Sequence, residues 1–296
     1  MSEALNLEYS DQTVQTKVQR WPRARKTASQ VLLMALLVTL LLLTFVPMIY
    51  LLVLSLKDNG QIYGRFWAPP NPIRWHNYVY GFQAMWPYIW NTLVVATPAL
   101  VGTITFASLS AYVFAHHHFP GKELIYMLFL ALMMIPGIVT LIPTYVLMGR
   151  LQLVNTRWAL ILPCMSGGQV FGILLLRTFF EGLSVELFEA GKLDGATELQ
   201  LFARIALPLS KPTIVTLAIM RMVTTYNAYT WPLIVLSDPG KQVVSVGATQ
   251  FTNTLGITDL GPQMAGYIVA SLPLLILFLF GMRYYIRGPT AGALKA

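Results

Sequence analysis

Apolar and polar positions alternate along this chain in long blocks. Six nearly uninterrupted apolar runs, Val31 to Leu56, Ile89 to Ala115, Leu124 to Met148, Ala159 to Phe179, Pro212 to Leu236 and Met264 to Tyr285, are separated by shorter polar stretches. A helix needs roughly 20 residues to cross about 30 Å of hydrocarbon, so each run predicts one membrane-spanning helix. The polar block between the fourth and fifth runs has a different rhythm. In FEAGKLDGATELQLFARIALPLSKP, Phe188 to Pro212, charges and apolar residues recur at helical spacing around a central Asp-Gly. This block is too charged to cross a bilayer and too regular to be a slack linker.

Local chemistry resolves the block into two short helices. Ser184 is placed to cap the first, whose opening turn holds Glu186 at the positive end of the helix dipole. Asp194 and Gly195 predict its end, because glycine takes positive φ without penalty. Thr197 and Gln200 have capping-box spacing for the second helix, and Leu199, Phe202, Ala203 and Ala206 recur along one expected apolar face. Pro208 and Pro212 separate it from the fifth run. The expected result is a helix-turn-helix bracket projecting from the membrane.

Composition agrees with a membrane class: 56% of the 296 residues are hydrophobic and 11% charged. About 30 mostly polar residues precede a first run far longer than the apolar core of a signal peptide, so that run is expected to be a retained span. Thirteen Lys and Arg fall on one side of the six runs and six on the other, Arg221 lying within a run. The positive-inside rule therefore predicts two cytoplasmic termini and a cytoplasmic bracket. The net charge of +8 is absorbed by these orienting residues and does not call for nucleic acid. Trp67, Trp75, Trp86, Trp90 and neighbouring tyrosines crowd the first outside loop, as rings do at headgroup level. Prolines within the runs, among them Pro98, Pro136, Pro163, Pro232 and Pro273, predict kinks wherever a neighbour satisfies the freed carbonyl. The densest pair, in MIPGIVTLIPTY with Gly137 beside Pro136, leaves two readings open for the third helix, a mobile element or plain kinked packing.

Several chemistries have no support. The three consecutive residues His116, His117 and His118 point about 100° apart on a helix and lack companion ligands, so no metal site is expected. The lone Cys164 allows no internal disulfide. Neither PGKEL at Pro120 nor PGKQV at Pro239 has the earlier glycine of a phosphate-binding loop, and HExxH and GxSxG motifs are missing, so no catalytic residues or enzyme activity are expected. No Asp or Glu lies within an apolar run, where a proton or sodium relay would place one.

The bracket resembles the EAA loop of permease subunits from bacterial ATP-binding cassette importers, whose pattern is Glu-Ala-Ala, a short gap, Asp-Gly-Ala, then Ile-x-Leu-Pro. Glu189, Ala190, Asp194, Gly195, Ala196, Gln200, Phe202, Ile205, Leu207 and Pro208 stand in register, and Gly191 departs where the family has its second alanine, a change expected to loosen the first helix. NYVYGF, WNTL, AYVFAHHHFPGK, NAYTWPL and RGPTAGALKA extend the likeness to the MalG type of sugar-importer permease.

The resemblance implies an all-α type I importer permease fold of six transmembrane helices in the bacterial inner membrane. It divides the chain into an N-terminal tail 1–30, a permease domain 31–285 with its coupling loop at 180–211, and a C-terminal tail 286–296. It implies a MalF-like second permease, two cytoplasmic ATPase subunits that bind ATP and magnesium, an extracytoplasmic solute-binding protein and an oligosaccharide substrate, with polyol phosphate as another option, and no cofactor in this chain. Glu189, Ala190, Asp194, Gly195, Ala196, Phe202, Leu207 and Pro208 would contact the ATPase. Gly247, Ala248, Thr249, Gln250 and Phe251, in the last outside loop, would face the binding protein. The competing reading, a channel or secondary transporter, uses the bracket only as an interfacial support and needs no ATPase.

Arg221 lies about ten residues into the fifth run, where a charge costs at least about 2.5 kcal/mol and so is expected to face the bundle interior or water. Thr224 and Thr225 fall within about 60° of it on a helix, with Asn227 at the border, giving four candidates for a translocation path. Two roles stand open for Arg221: pairing with a helix carbonyl or a partner's carboxylate, or contact with an acidic group of the passing substrate. Six basic residues against Asp58, Asp238 and Asp259 in the outside loops point to an acidic sugar such as a uronate oligomer.

Overall fold

The computed structural model describes residues 23–254 and 259–285 of the chain. The expected tails lie largely or wholly outside these residues. Every regular element among the described residues is a helix, with no strand among them. An N-terminal unit ends at Tyr50 and holds most of α1 (Arg23–Ser55), whose side chains from Ser29 to Ile49 are all exposed. By length and composition, rich in Leu, Val and Met, this is a helix that can be solvated by hydrocarbon.

The second unit begins at Leu51. The short α2 (Asn59–Gly64) is capped by Asp58, whose side chain accepts from the Gln61 amide and pairs with Arg74 at 2.9 Å. These contacts hold the Asp58 carboxyl below its usual range, with the Gln61 amide the larger cause. Next comes α3 (His76–His116), 41 residues and therefore about 60 Å, twice the hydrocarbon thickness. It starts thirteen residues before the expected span because the tryptophan-rich segment after the prolines is itself helical. Phe82, Trp86 and Trp90 stack along one exposed face of this extension.

The third run is two helices, α4 (Lys122–Leu132) and α5 (Gly137–Arg150), bent by 97° at Pro136. The run expected as one kinked or mobile helix is thus fully broken at the Pro-Gly pair. The fourth run forms α6 (Trp158–Gly167) and α7 (Gln169–Glu181), divided only at Gly168. After α8 (Val185–Leu193), α9 (Glu198–Leu201) widens into a π-turn over Phe202–Ala206 and closes as α10 (Leu207–Leu209). A 73° bend at Ser210 leads into α11 (Lys211–Tyr226). The fifth run was expected to reach Leu236 as one span kinked at Pro232. Instead α11 stops at Tyr226, and a turn through Asn227 leads to α12 (Thr230–Val235), since Pro232 supplies no donor for a continuing helix. The last elements are α13 (Val244–Thr254) and α14 (Leu260–Tyr285). Four helical stretches are long enough to cross a membrane, or six if each bent pair counts as one span.

The long α3 is the axis of the second unit. On the bracket half, Ala107, Ala111 and Tyr112 pack with Ile173, Leu176 and Phe180 of α7, Phe202 and Ala206 of the bracket, and Leu217 of α11. On the opposite half, Val95 and Ala99 pack with Leu160, Val235 and Val246. Gly81 lets α3 touch α14: a Cβ there would stand 2.6 Å from the Gly266 nitrogen.

Candidate functional site

The bracket is built from local bonds. Ser184 begins α8 in extended conformation, yet its hydroxyl meets the Glu186 carboxylate rather than a backbone amide. At the far end the chain turns on Gly195 at φ +78°. The Gly195 amide donates to the Lys192 carbonyl and the Ala196 amide to the Gly191 carbonyl, both at 3.0 Å, the paired bonds of a Schellman stop. Thr197 then opens α9 with the expected reciprocal capping box: Gln200 Oε1 accepts from the Thr197 amide at 2.8 Å, and Thr197 Oγ1 accepts in return.

Gly191 has a structural use. A Cβ there would meet Leu201 Cδ2 at 2.6 Å and Ile205 Cδ1 at 3.3 Å, so glycine lets α8 lie closely on the second helix. The buried face of that helix is Leu201, Phe202 and Ala206, whereas Leu199 and Ala203 are exposed, contrary to the regular-helix expectation. The shift follows from the π-turn. Pro208 cannot donate to Arg204, and the Leu207 amide reaches back five residues to Phe202.

Glu198 ties the bracket to α3. Lys192 donates to it at 2.9 Å and Tyr112 at 3.2 Å, with His117 Nε2 at 3.7 Å, and the Lys192 bond is the main cause holding this carboxyl below its usual range. The His116 ring meets that of Phe188 at 4.2 Å between centroids, tilted by 41°. These histidines are thus part of the seam under the bracket, a contact that spacing alone did not reveal. Glu189, Ala190, Asp194, Gly195 and Pro208 point outward; Ala196 and Leu207 are half-buried and Phe202 is buried. Val185, Leu187, Leu193 and Leu199 are exposed apolar residues among them. Five of the eight coupling candidates are therefore exposed, as are Leu187, Leu193 and Leu199, and the other three belong to the apolar cluster under the bracket.

Beyond the bracket, a cavity of about 510 Å³ opens among α3, α5, α6, α11 and α12. Thr92, Thr140, Thr144, Thr224, Thr225 and Thr230 contribute to its wall with Cys164 and Trp231, and among the described residues no charged side chain lines it. Thr224 and Thr225 both line this cavity. Asn227 does not line it and bonds back to the Val223 carbonyl at 2.9 Å. Arg221 is turned to α6, where Nη2 donates to the Cys164 carbonyl at 2.8 Å. Trp231 Nε1 donates to the Ala159 carbonyl at 2.9 Å, filling the place left by the missing amide of Pro163 four residues on. Trp231→Phe, which keeps the ring and removes the donor, is expected to destabilise the protein by about 1–3 kcal/mol through the unpaired carbonyl, read as a lower thermal midpoint in detergent.

Asn91 organises the end opposite the bracket. Its Nδ2 donates to the carbonyls of Gly240 and Gln242, and its Oδ1 accepts from Arg157. Asn155, at φ +60°, accepts from the Ser237 and Asp238 amides and fastens the other side of this loop. Gly247 is buried, with a would-be Cβ 2.4 Å from the Tyr88 ring, so the first binding-protein candidate is a packing residue. Ala248 is half-buried and Thr249 exposed. The side chains of Gln250 and Phe251 lie outside the described residues. The basic excess of the loops is largely engaged internally: Arg74 with Asp58, Lys241 with Asp238, Arg157 with Asn91, and buried Lys57 with the carbonyls of Arg65 and Phe66.

Among the described residues no group of His, Cys, Asp or Glu is arranged to hold a metal. Comparison with known proteins gives one consistent answer. Residues 103–289 match the family model described as binding-protein-dependent transport system inner membrane component. The chain is 33% identical over 252 residues to the probable ABC transporter permease protein YurM of Bacillus subtilis, covering 84% of this chain and 83% of that protein. It is 31% identical over 229 residues to the arabinooligosaccharides transport system permease protein AraQ of Halalkalibacterium halodurans, covering 76% and 81%. A solved bacterial ABC transporter involved in the import of the acidic polysaccharide alginate has a chain that superimposes with a TM-score of 0.79 at 21% identity, covering 90% of this chain and 99% of that one. This last likeness is one of fold.

Proposed function

From membership of the binding-protein-dependent transport system inner membrane component family, to which this chain belongs, we propose that it is the MalG-like half of a permease pair that imports an oligosaccharide. It is a multi-pass permease subunit, not a catalytic enzyme, and its energy comes from elsewhere. In this reading a MalF-like permease completes the pore, two ATPase subunits bind ATP and magnesium, and an extracytoplasmic protein delivers the sugar. Both termini and the bracket face the cytoplasm of a bacterial cell, and Thr249 faces outward. The tails 1–30 and 286–296 flank the permease domain. The bracket carries the proposal: a capped helix pair, rigid at its Asp-Gly turn and seated on α3, shows exposed leucines where an ATPase cleft would hold it. Closing of the nucleotide sandwich would move the bracket and shift the spans between inward-open and outward-open states.

Oligosaccharide is the substrate class supported by the arabinooligosaccharide system to which this chain is similar. An acidic oligomer keeps the support of the alginate importer's likeness in fold, whereas the uncharged cavity and the internally paired loop cations favour a neutral one. The test is site-specific crosslinking in a Cys164→Ala background. Cysteine at Glu189 is expected to crosslink only to the ATPase, and cysteine at Thr249 only to the binding protein. Labelling of Thr249→Cys from the cytoplasm alone would refute the topology, and an assembled importer that leaves Glu189→Cys without an ATPase adduct would refute the coupling role. Competition by neutral and uronate oligomers for uptake then ranks the substrates.

A further inference from the structure

The bracket joins α7 to α11, so any movement imposed on it passes into the fourth and fifth spans together. The fourth span is weak at one level. The Gly168 amide turns to the Ser166 carbonyl, and the Cys164 carbonyl loses its usual partner four residues on. A carbonyl freed within hydrocarbon must be met by a side chain, water or another helix. Here Arg221 of α11 meets it at 2.8 Å, while Thr103 of α3 and Gln169 of α7 supply donors to the adjacent Met165 carbonyl at 3.1 and 3.2 Å. The guanidinium lies against the missing side chain of Gly168: a Cβ there would stand 2.7 Å from Arg221 Nε and 2.7 Å from Thr103 Cγ2. Glycine therefore both weakens the span and makes room for the cation that braces it.

We infer that Arg221 is a positioning residue for transport, a brace across the break in the fourth span that makes the two spans flanking the bracket move as one body at the level of the cavity. Pro163 and Cys164 on one side of the brace, and Thr224 and Thr225 on the other, line that cavity. With the brace in place, displacement of the bracket carries both walls together. Without it, Gly168 absorbs the displacement as a bend, and ATP is spent without moving the walls. A net charge at this depth is tolerated because its donor is used by a backbone carbonyl rather than left to lipid. Of the two roles open for Arg221, the inference takes the pairing with a helix carbonyl, here one within the chain itself.

The inference rests on the importer reading, and the test separates the two. In the reconstituted importer, the quantity measured is sugar moved per ATP hydrolysed. Arg221→Met, which keeps length and apolar volume, is expected to lower that ratio about tenfold, the scale of a single-residue change in coupling between sites. Arg221→Lys, which retains a donor for the Cys164 carbonyl, is expected to recover most of it. Gly168→Ala, which leaves Arg221 in the chain but crowds its guanidinium, is expected to lower the ratio in the same direction. The inference is overturned if Arg221→Met reduces uptake and hydrolysis in equal proportion, as a mere loss of assembled complex would. It is equally overturned if Gly168→Ala couples like the wild type, an arm that holds even where Arg221→Met fails to assemble. A wild-type complex without sugar-dependent ATP hydrolysis would refute the importer reading instead.

Discussion

Gly195→Val is expected to reduce uptake at least tenfold while leaving the protein in the membrane at its normal level. The cause is confined to one backbone position. Gly195 sits at φ +78°, and nothing lies within 4 Å of a Cβ built there, so a larger side chain has room but the wrong conformation. A residue with a Cβ pays about 1–2 kcal/mol in the left-handed region, and a β-branched residue is a genuine outlier there. The paired bonds from Gly195 and Ala196 to Lys192 and Gly191 would open, and with them the angle between α8 and α9. Asparagine tolerates the left-handed conformation, so Gly195→Asn is expected to keep most of the uptake. Radiolabelled uptake together with immunoblotting of membranes separates the outcomes. Wild-type transport by Gly195→Val would show that the bracket's shape is not what couples.

The second large effect is expected at Gly81, and in assembly rather than coupling. Its Cα faces the backbone of α14, where a Cβ would stand 2.6 Å from the Gly266 nitrogen and 3.0 Å from both the Ala265 carbonyl carbon and Gly266 Cα. Backbone atoms cannot rotate aside as a flexible side chain does, so Gly81→Ala must force the two helices apart. Overpacking of this kind costs about 1–3 kcal/mol, and small residues are what permit close helix contact in membranes. The mutant is expected to unfold at a lower temperature in detergent and to accumulate less in the membrane. Gly149→Ala, at a glycine with nothing within 4 Å of its Cβ position, is the matched control expected to show neither change. An unaltered thermal midpoint in Gly81→Ala would mean that the α3–α14 contact is looser than the structure describes.

Tertiary contacts change the meaning of three residues that looked alike from sequence. Gly195, Gly191 and Gly247 all lie in segments matched to one family, and each was a candidate for contact or for looseness. Gly195 is required by its own φ, Gly191 by the approach of Leu201, and Gly247 by the ring of Tyr88. Only the first reason is written in neighbouring residues.

That difference separates what the order of residues determines alone from what the assembled chain decides. The membrane class, the six apolar runs, the Pro136 break and the bracket with its stop at Asp194 and Gly195 follow from interactions within about five residues. A capping box or a Schellman turn closes its bonds inside one short segment, and an apolar run selects lipid whatever its neighbours are. The end of α11 at Tyr226, the exposure of Leu199 in place of Leu201, the burial of Gly247 and the partner of Arg221 were not legible in this way. The burial of Gly247 and the partner of Arg221 depend on segments distant in the chain, and the other two on backbone changes, the turn at Asn227 and the π-turn at Phe202–Ala206, that regular helical spacing does not show. Arg221 needs a carbonyl 57 positions earlier that is free only because Gly168 interrupts its helix, and Trp231 needs one 72 positions earlier that Pro163 leaves unpaired. Periodicity shows that such a donor must face the interior, since lipid offers it nothing, but the acceptor it finds is set by which backbones the packed helices bring within about 3 Å.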